Sequence, residues 1–73
     1  MTSKGYAIII ERGPTSYGAY SPDLPGCVAV GDTIEEVRRL IAEAIEFHIQ
    51  GLKLHSEPIP EPTSSVDYVE VAA

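Results

Sequence analysis

Eleven Asp and Glu residues against five Lys and Arg are the first chemistry that this 73-residue chain offers. A two-metal phosphodiesterase site would gather three or four carboxylates around ions about 4 Å apart. The candidates by position are Glu11, then Glu43 or Glu46, then Asp67 or Glu70. At a helical advance of about 100° per residue, Glu43 and Glu46 share a face with Glu36, Arg39 and Gln50 and point away from the apolar stripe. The carboxylates therefore read as a solvated acidic surface. No catalytic residue is assigned, and the chain is not expected to be an enzyme.

Two histidines and one cysteine complete the reactive inventory. Cys27, His48 and His55 miss ligand spacings such as C-x-x-C, so neither a metal nor a cofactor is expected. His48 falls near the centre of the apolar stripe, with no carboxylate or nucleophile to make it a general base. It reads as a buried, hydrogen-bonded histidine, and His55 as a solvent-exposed one. Cys27 has no basic neighbour to lower its pKa and reads as a packing residue. A single cysteine excludes an intramolecular disulfide. A lone thiol without an export signal fits a cytoplasmic protein. The Ile8–Ile10 run is too short for a signal peptide, and no stretch is long enough to span a membrane. A net charge of −6 argues against direct contact with nucleic acid, whose binding is driven by Lys and Arg.

These side chains must be positioned by short elements. Gly5–Glu11 is rich in β-branched and aromatic residues and ends at the turn signal Arg12-Gly13-Pro14. Tyr17–Ser21 is a second strand, stopped by Pro22. Cys27–Val30 is a third, entered through Pro25-Gly26 and left through Gly31-Asp32. Short connections predict an antiparallel meander. Thr33-Ile34-Glu35-Glu36 then fits a capping box, with two carboxylates at the positive end of the helix dipole. Apolar positions follow at Ile34, Val37, Leu40, Ile41, Ala44, Ile45, His48 and Leu52. The predicted apolar arc runs from Phe47 round to Ile49, roughly 200° and wider than the ~100° stripe of an ordinary surface helix. Gly51 is a candidate helix terminator, with fraying on to Leu54.

Glu57–Pro62 carries three prolines in six residues and is predicted to run extended, as a stiff return linker. Val66–Val71 alternates well enough for a last strand, reached by a right-handed crossover and parallel to a sheet member. The predicted fold class is α+β, in the order β-β-β-α-β. The first strand is apolar on both faces, whereas one helix covers one face. A chain of this size buries only about 60% of its unfolded surface. Both features predict a homo-oligomer, formed through the uncovered sheet face or an edge strand.

The string Tyr17-Gly18-Ala19-Tyr20-Ser21-Pro22-Asp23-Leu24-Pro25-Gly26-Cys27, followed by Gly31-Asp32-Thr33 and Glu35-Glu36, resembles the signature of HicB-like antitoxins. Glu43–His48 and Pro58–Pro62 also look like the family's helix and tail, and the likeness extends from Tyr6 to Val71. It implies a partial RNase H-like domain that binds and inhibits a small basic, mRNA-cleaving (HicA-like) toxin. It implies no catalytic role for the domain itself, since the toxin carries the catalytic histidine. Many relatives append a C-terminal DNA-binding module. The expectation here is a single HicB-like domain over 1–73 without one.

Asp23-Leu24-Pro25-Gly26 reads as an exposed tight turn, with Pro25 setting φ and Gly26 free to take a positive one. Tyr17, Tyr20, Asp23, Leu24 and Pro25 are the candidate partner contacts, each weighed against a purely structural role in the turn or sheet. Two functions remain in play: an antitoxin-type interaction module, and a stand-alone oligomeric structural or regulatory domain without a toxin.

Overall fold

The computed structural model describes residues 4–73, with β1 at Ile9–Arg12, β2 at Tyr17–Tyr20, β3 at Val28–Gly31 and α1 at Ile34–Leu54. The three strands form one antiparallel sheet in the order β1-β2-β3. Gly13 N–H donates to the Ser16 carbonyl at 2.7 Å and closes the first hairpin. In register, Ile9 pairs with Tyr20 and Tyr20 with Val28, so the meander is regular across all three strands.

The first strand is shorter at its start than its composition predicts, and the reason lies on β2. Beyond the Ile9–Tyr20 pair the facing chain is Ser21-Pro22, and proline has no N–H to give to a ladder. Ser21 substitutes for the lost ladder bond. Its buried hydroxyl donates to the Ala7 carbonyl at 3.0 Å.

Helix α1 begins as its capping residues predict. Glu36 N–H donates to the Thr33 hydroxyl at 3.0 Å, and the Glu36 carboxylate accepts from the Asp32 amide at 2.8 Å. The return bond thus reaches one residue further back than the N-cap itself. Gly51 does not end the helix. The chain continues to Leu54, and Ser56, with φ 53°, takes the left-handed position that glycine more often fills. Ser56 N–H donates to the Lys53 carbonyl and Glu57 N–H to that of Leu52, the paired closure of a Schellman motif.

One face of the sheet packs on the helix. Ala19, Leu24, Cys27, Val37 and Ile41 are buried, with Tyr6, Ile8, Ile10, Tyr17, Ala29, Ala44, Ile45 and Ile49 packed around them. Gly31 admits the close approach of helix to strand: a Cβ there would lie 2.9 Å from the Val37 nitrogen. The apolar arc of α1 is narrower in practice than its spacing predicts. Phe47 lies 79% exposed, because no strand extends under that flank beyond β3.

The return linker runs extended, as its prolines require. Tyr6 donates its hydroxyl proton to the Pro60 carbonyl, and Lys4 pairs with Glu61 at 2.6 Å, so residues 60–61 lie against the start of the first strand segment. The predicted last strand is not formed. Val66–Val71 has no regular structure, and Tyr68, Val69 and Val71 are among the most exposed side chains described. The chain is held at Thr63 and Ser64 beside the β2–β3 turn, and beyond that point it runs along no sheet edge. Without an edge partner its N–H and C=O groups form no ladder, and the parallel crossover pairing is absent from this sheet.

Candidate protein-interaction site

The β2–β3 connection is built from two successive turns. Leu24 N–H donates to the Ser21 carbonyl at 3.2 Å, and Cys27 N–H donates to that of Leu24 at 3.1 Å. Gly26 supplies the positive φ, 84°, that the second turn needs. The turn is not uniformly exposed as its composition predicts. Pro25 and Gly26 face solvent, but Leu24 turns inward and is fully buried against the core, beside Val37 and Ile41. As a solvent-facing contact residue Leu24 is therefore corrected: its side chain anchors the loop.

Asp23 does the opposite, reaching out to the other end of the chain. Its carboxylate accepts four hydrogen bonds, from the Thr63 and Ser64 amides at 3.1 and 3.0 Å and from both their hydroxyls at 3.0 Å. The Ser64 amide leads in holding the carboxyl below its ordinary value of 3.8, with the Thr63 and Ser64 hydroxyls and the Thr63 amide adding to it and partial desolvation opposing. This clamp joins residues 40 positions apart. The signal for it in the sequence is the Thr63-Ser64-Ser65 run just after the proline linker, which composition alone assigns to a loop.

Tyr17 and Tyr20 stand three positions apart on one strand, and the alternation of a strand sends them to opposite faces. Tyr17 packs against the core. Tyr20, 40% exposed, joins Ile9 and Val28 in a cross-strand row on the uncovered face, where Val28 and Val30 are 64% and 66% exposed. Tyr20, Asp23 and Pro25 thus cluster at one end of the sheet, whereas Tyr17 belongs to its packed side.

The candidate catalytic carboxylates do not converge. Glu11 is exposed on β1, Glu43 pairs with Arg39 at 2.9 Å on the solvent side of the helix, and Asp67 and Glu70 ride on the exposed tail. Among the described residues no group of three or more His, Cys, Asp or Glu side chains could hold a metal ion. Cys27 is buried, and that burial pushes its thiol above the ordinary value. His48 is half-buried rather than buried and lines an open groove of ≈ 390 Å³ beside β3, together with Cys27, Val28, Ala44 and Phe47. No helix among the described residues is long and apolar enough to cross a membrane.

A three-stranded antiparallel meander crossed by one helix defines a small α+β domain. Its family follows from comparison. The family model of the HicB-like antitoxin of bacterial toxin–antitoxin systems matches residues 6–72, and the chain belongs to that family. An uncharacterized 14.9 kDa protein of Haemophilus phage HP1 is 38% identical over 64 residues, covering 88% of this chain and 48% of the phage protein. The chain thus spans about half the length of that relative. A UPF0150 protein of Synechocystis is 39% identical, over 77% of this chain and 72% of its own. A UPF0150 protein of Thermoplasma acidophilum is 41% identical, over 75% and 81%. Among solved structures, a chain of a HicA3 and HicB3 toxin–antitoxin complex superposes with a TM-score of 0.70 and 30% identity, covering 82% of this chain and 70% of that one.

Proposed function

We infer that this chain is a non-enzymatic antitoxin module that binds and neutralises a small basic, HicA-like mRNA-cleaving toxin. The observation that carries the reading is membership of the HicB-like antitoxin family, joined to likeness in fold to a chain of a toxin–antitoxin complex. Charge supports it. The chain carries −6, and its carboxylates are dispersed over strand, helix and tail rather than gathered into a site. An acidic surface of this kind steers a basic partner, raises its on-rate and loses that advantage as salt rises. Masking of the toxin's active surface, not chemistry on RNA by this chain, is the mode of inhibition, and it operates in the reducing cytoplasm without direct contact to nucleic acid.

The chain also self-associates in this reading. The uncovered Ile9–Tyr20–Val28 row and the exposed apolar tail are surface of the kind that a second copy covers. The same observation favours the second function, an oligomeric structural or regulatory domain without a toxin.

Co-expression with a small basic, HicA-like toxin, sought first among proteins encoded beside this gene, separates the two. An antitoxin co-purifies with that protein and restores growth of cells that express it, and the association rate falls steeply with added salt. A neighbouring protein that neither binds nor loses toxicity removes the antitoxin reading and leaves the stand-alone domain.

A further inference from the structure

The tail is the part of this molecule that its own fold leaves unused. After the Asp23 clamp, Val66 is 46% exposed and Tyr68, Val69 and Val71 are 88%, 85% and 77% exposed. The radius of gyration is 14.0 Å, where a compact chain of this length has about 11 Å. Surface area tells the same story. The chain exposes 5868 Å², against roughly 4,400 Å² for a folded monomer of its mass. The excess, roughly 1,500 Å², exceeds the ~800 Å² per partner of a standard interface and falls in the range of permanent dimers.

The sheet has two open edges, and they are not equivalent. β1 ends in Glu11 and Arg12, charged residues of the kind that blunt an edge against further pairing. β3 is Val28-Ala29-Val30-Gly31, with neither charge nor proline. Beside it lies the open groove that Val28, Ala44, Phe47 and Leu52 line. Val66–Val71 joins no backbone ladder within one chain, and a strand of its Val and Tyr residues suits an edge without charge or proline. Nine residues follow Ser64, enough to span about 30 Å when extended, yet within one chain the tail pairs with neither edge.

We propose that Val66–Val71 of one copy adds as a fourth strand to the β3 edge of a second copy, and the reverse, in a two-fold exchange. As a strand the tail turns Val69 and Val71 to one face and Val66 and Tyr68 to the other, so one of these pairs enters the groove between β3 and Phe47. Reciprocity leaves neither tail exposed and closes the assembly at two copies. This deepens the self-association stated above and rests on it.

The test is light scattering on the full chain at tens of micromolar, beside three variants at positions that the monomer leaves exposed. Val69→Pro removes one tail N–H without changing charge. Val30→Lys and Phe47→Asp put charge on the β3 edge and in the groove. The full chain is expected at twice the monomer mass, and each variant is expected to dissociate at least tenfold more readily with an unchanged helical circular dichroism signal. Hydrogen exchange should show the amides of residues 66–71 protected only at dimer-forming concentrations. A Val69→Pro protein that stays dimeric overturns the tail exchange while self-association stands. A Val69→Pro monomer beside dimeric Val30→Lys and Phe47→Asp proteins overturns β3 as the acceptor. A monomeric full chain with an ordinary melting temperature overturns both the exchange and the self-association.

Discussion

The meander with its helix and the segment after the helix are two different kinds of polymer. In the first, backbone groups pair with one another and a set of apolar side chains closes a core: Leu24, Val37 and Ile41 are fully buried. In the second, side chains of the body hold the chain in place of a backbone ladder. Tyr6 grips Pro60, Lys4 pairs with Glu61, and Asp23 clamps Thr63 and Ser64. Beyond the last tether the apolar residues face outward. The contrast teaches that the body supplies stability, while the tail is positioned at low cost and kept available. Exposed ion pairs such as Lys4–Glu61 contribute little to stability, because water and salt screen the attraction and two long side chains must be ordered to make it.

Truncation of matching apolar residues in the two regions gives the largest difference. Leu24→Ala empties a fully buried position and is expected to destabilise the fold by about 2–5 kcal/mol. Val69→Ala, on the tail, is expected to change monomer stability by less than about 0.5 kcal/mol. Urea melts at a concentration below dimerisation measure both, and equal losses would erase the distinction between body and tail.

A smaller effect probes how closely the helix sits on the sheet. Gly31→Ala drives a methyl group against the Val37 nitrogen and the Glu36 carboxylate, and overpacking of this kind costs about 1–3 kcal/mol. Thermal unfolding reads the loss. A Gly31→Ala protein as stable as the parent would mean that the helix start can shift, and that the close approach is not rigid.

The smallest effect belongs to the Asp23 clamp. The folded chain holds this carboxyl below its ordinary value of 3.8, so the charged form is the bound one. The contribution to tail docking is therefore complete above that ordinary value and is lost as pH falls through the depressed native one. Proteolysis of the tail is expected to accelerate in Asp23→Asn at neutral pH, with the melting temperature of the body nearly unchanged. Amide signals of Thr63 and Ser64 should shift in the parent protein only under strongly acid conditions. Movement of both signals near neutral pH would assign the tether to another group.

Much of the body is legible in the chain's own order of residues, and the tail is not. Gly13-Pro14, Pro22 and Gly31-Asp32 punctuate three strands, and Thr33 with Glu36 announces the helix start. These are local rules, each satisfied within a few residues. Ser56 shows where local rules give way: Gly51 looks like the helix terminator, but the helix passes through it and a serine closes the turn. Val66–Val71 shows the larger failure. Its composition suits a strand, yet a strand exists only when another edge lies beside it, and no property of six residues says whether one does.

The candidate site divides along the same line. The Tyr17–Cys27 signature and the acidic balance are properties of the chain alone, and the signature carries the family. That Leu24 is a core anchor, that Tyr17 and Tyr20 part to opposite faces, and that Asp23 is occupied by Thr63 and Ser64 depend on contacts across the fold. Residue types and spacings determine turns, caps and net charge, because these act over neighbouring positions. Burial, long-range hydrogen bonds and the partners of an open edge are decided only by tertiary structure, because they depend on which distant surfaces the folded chain brings together.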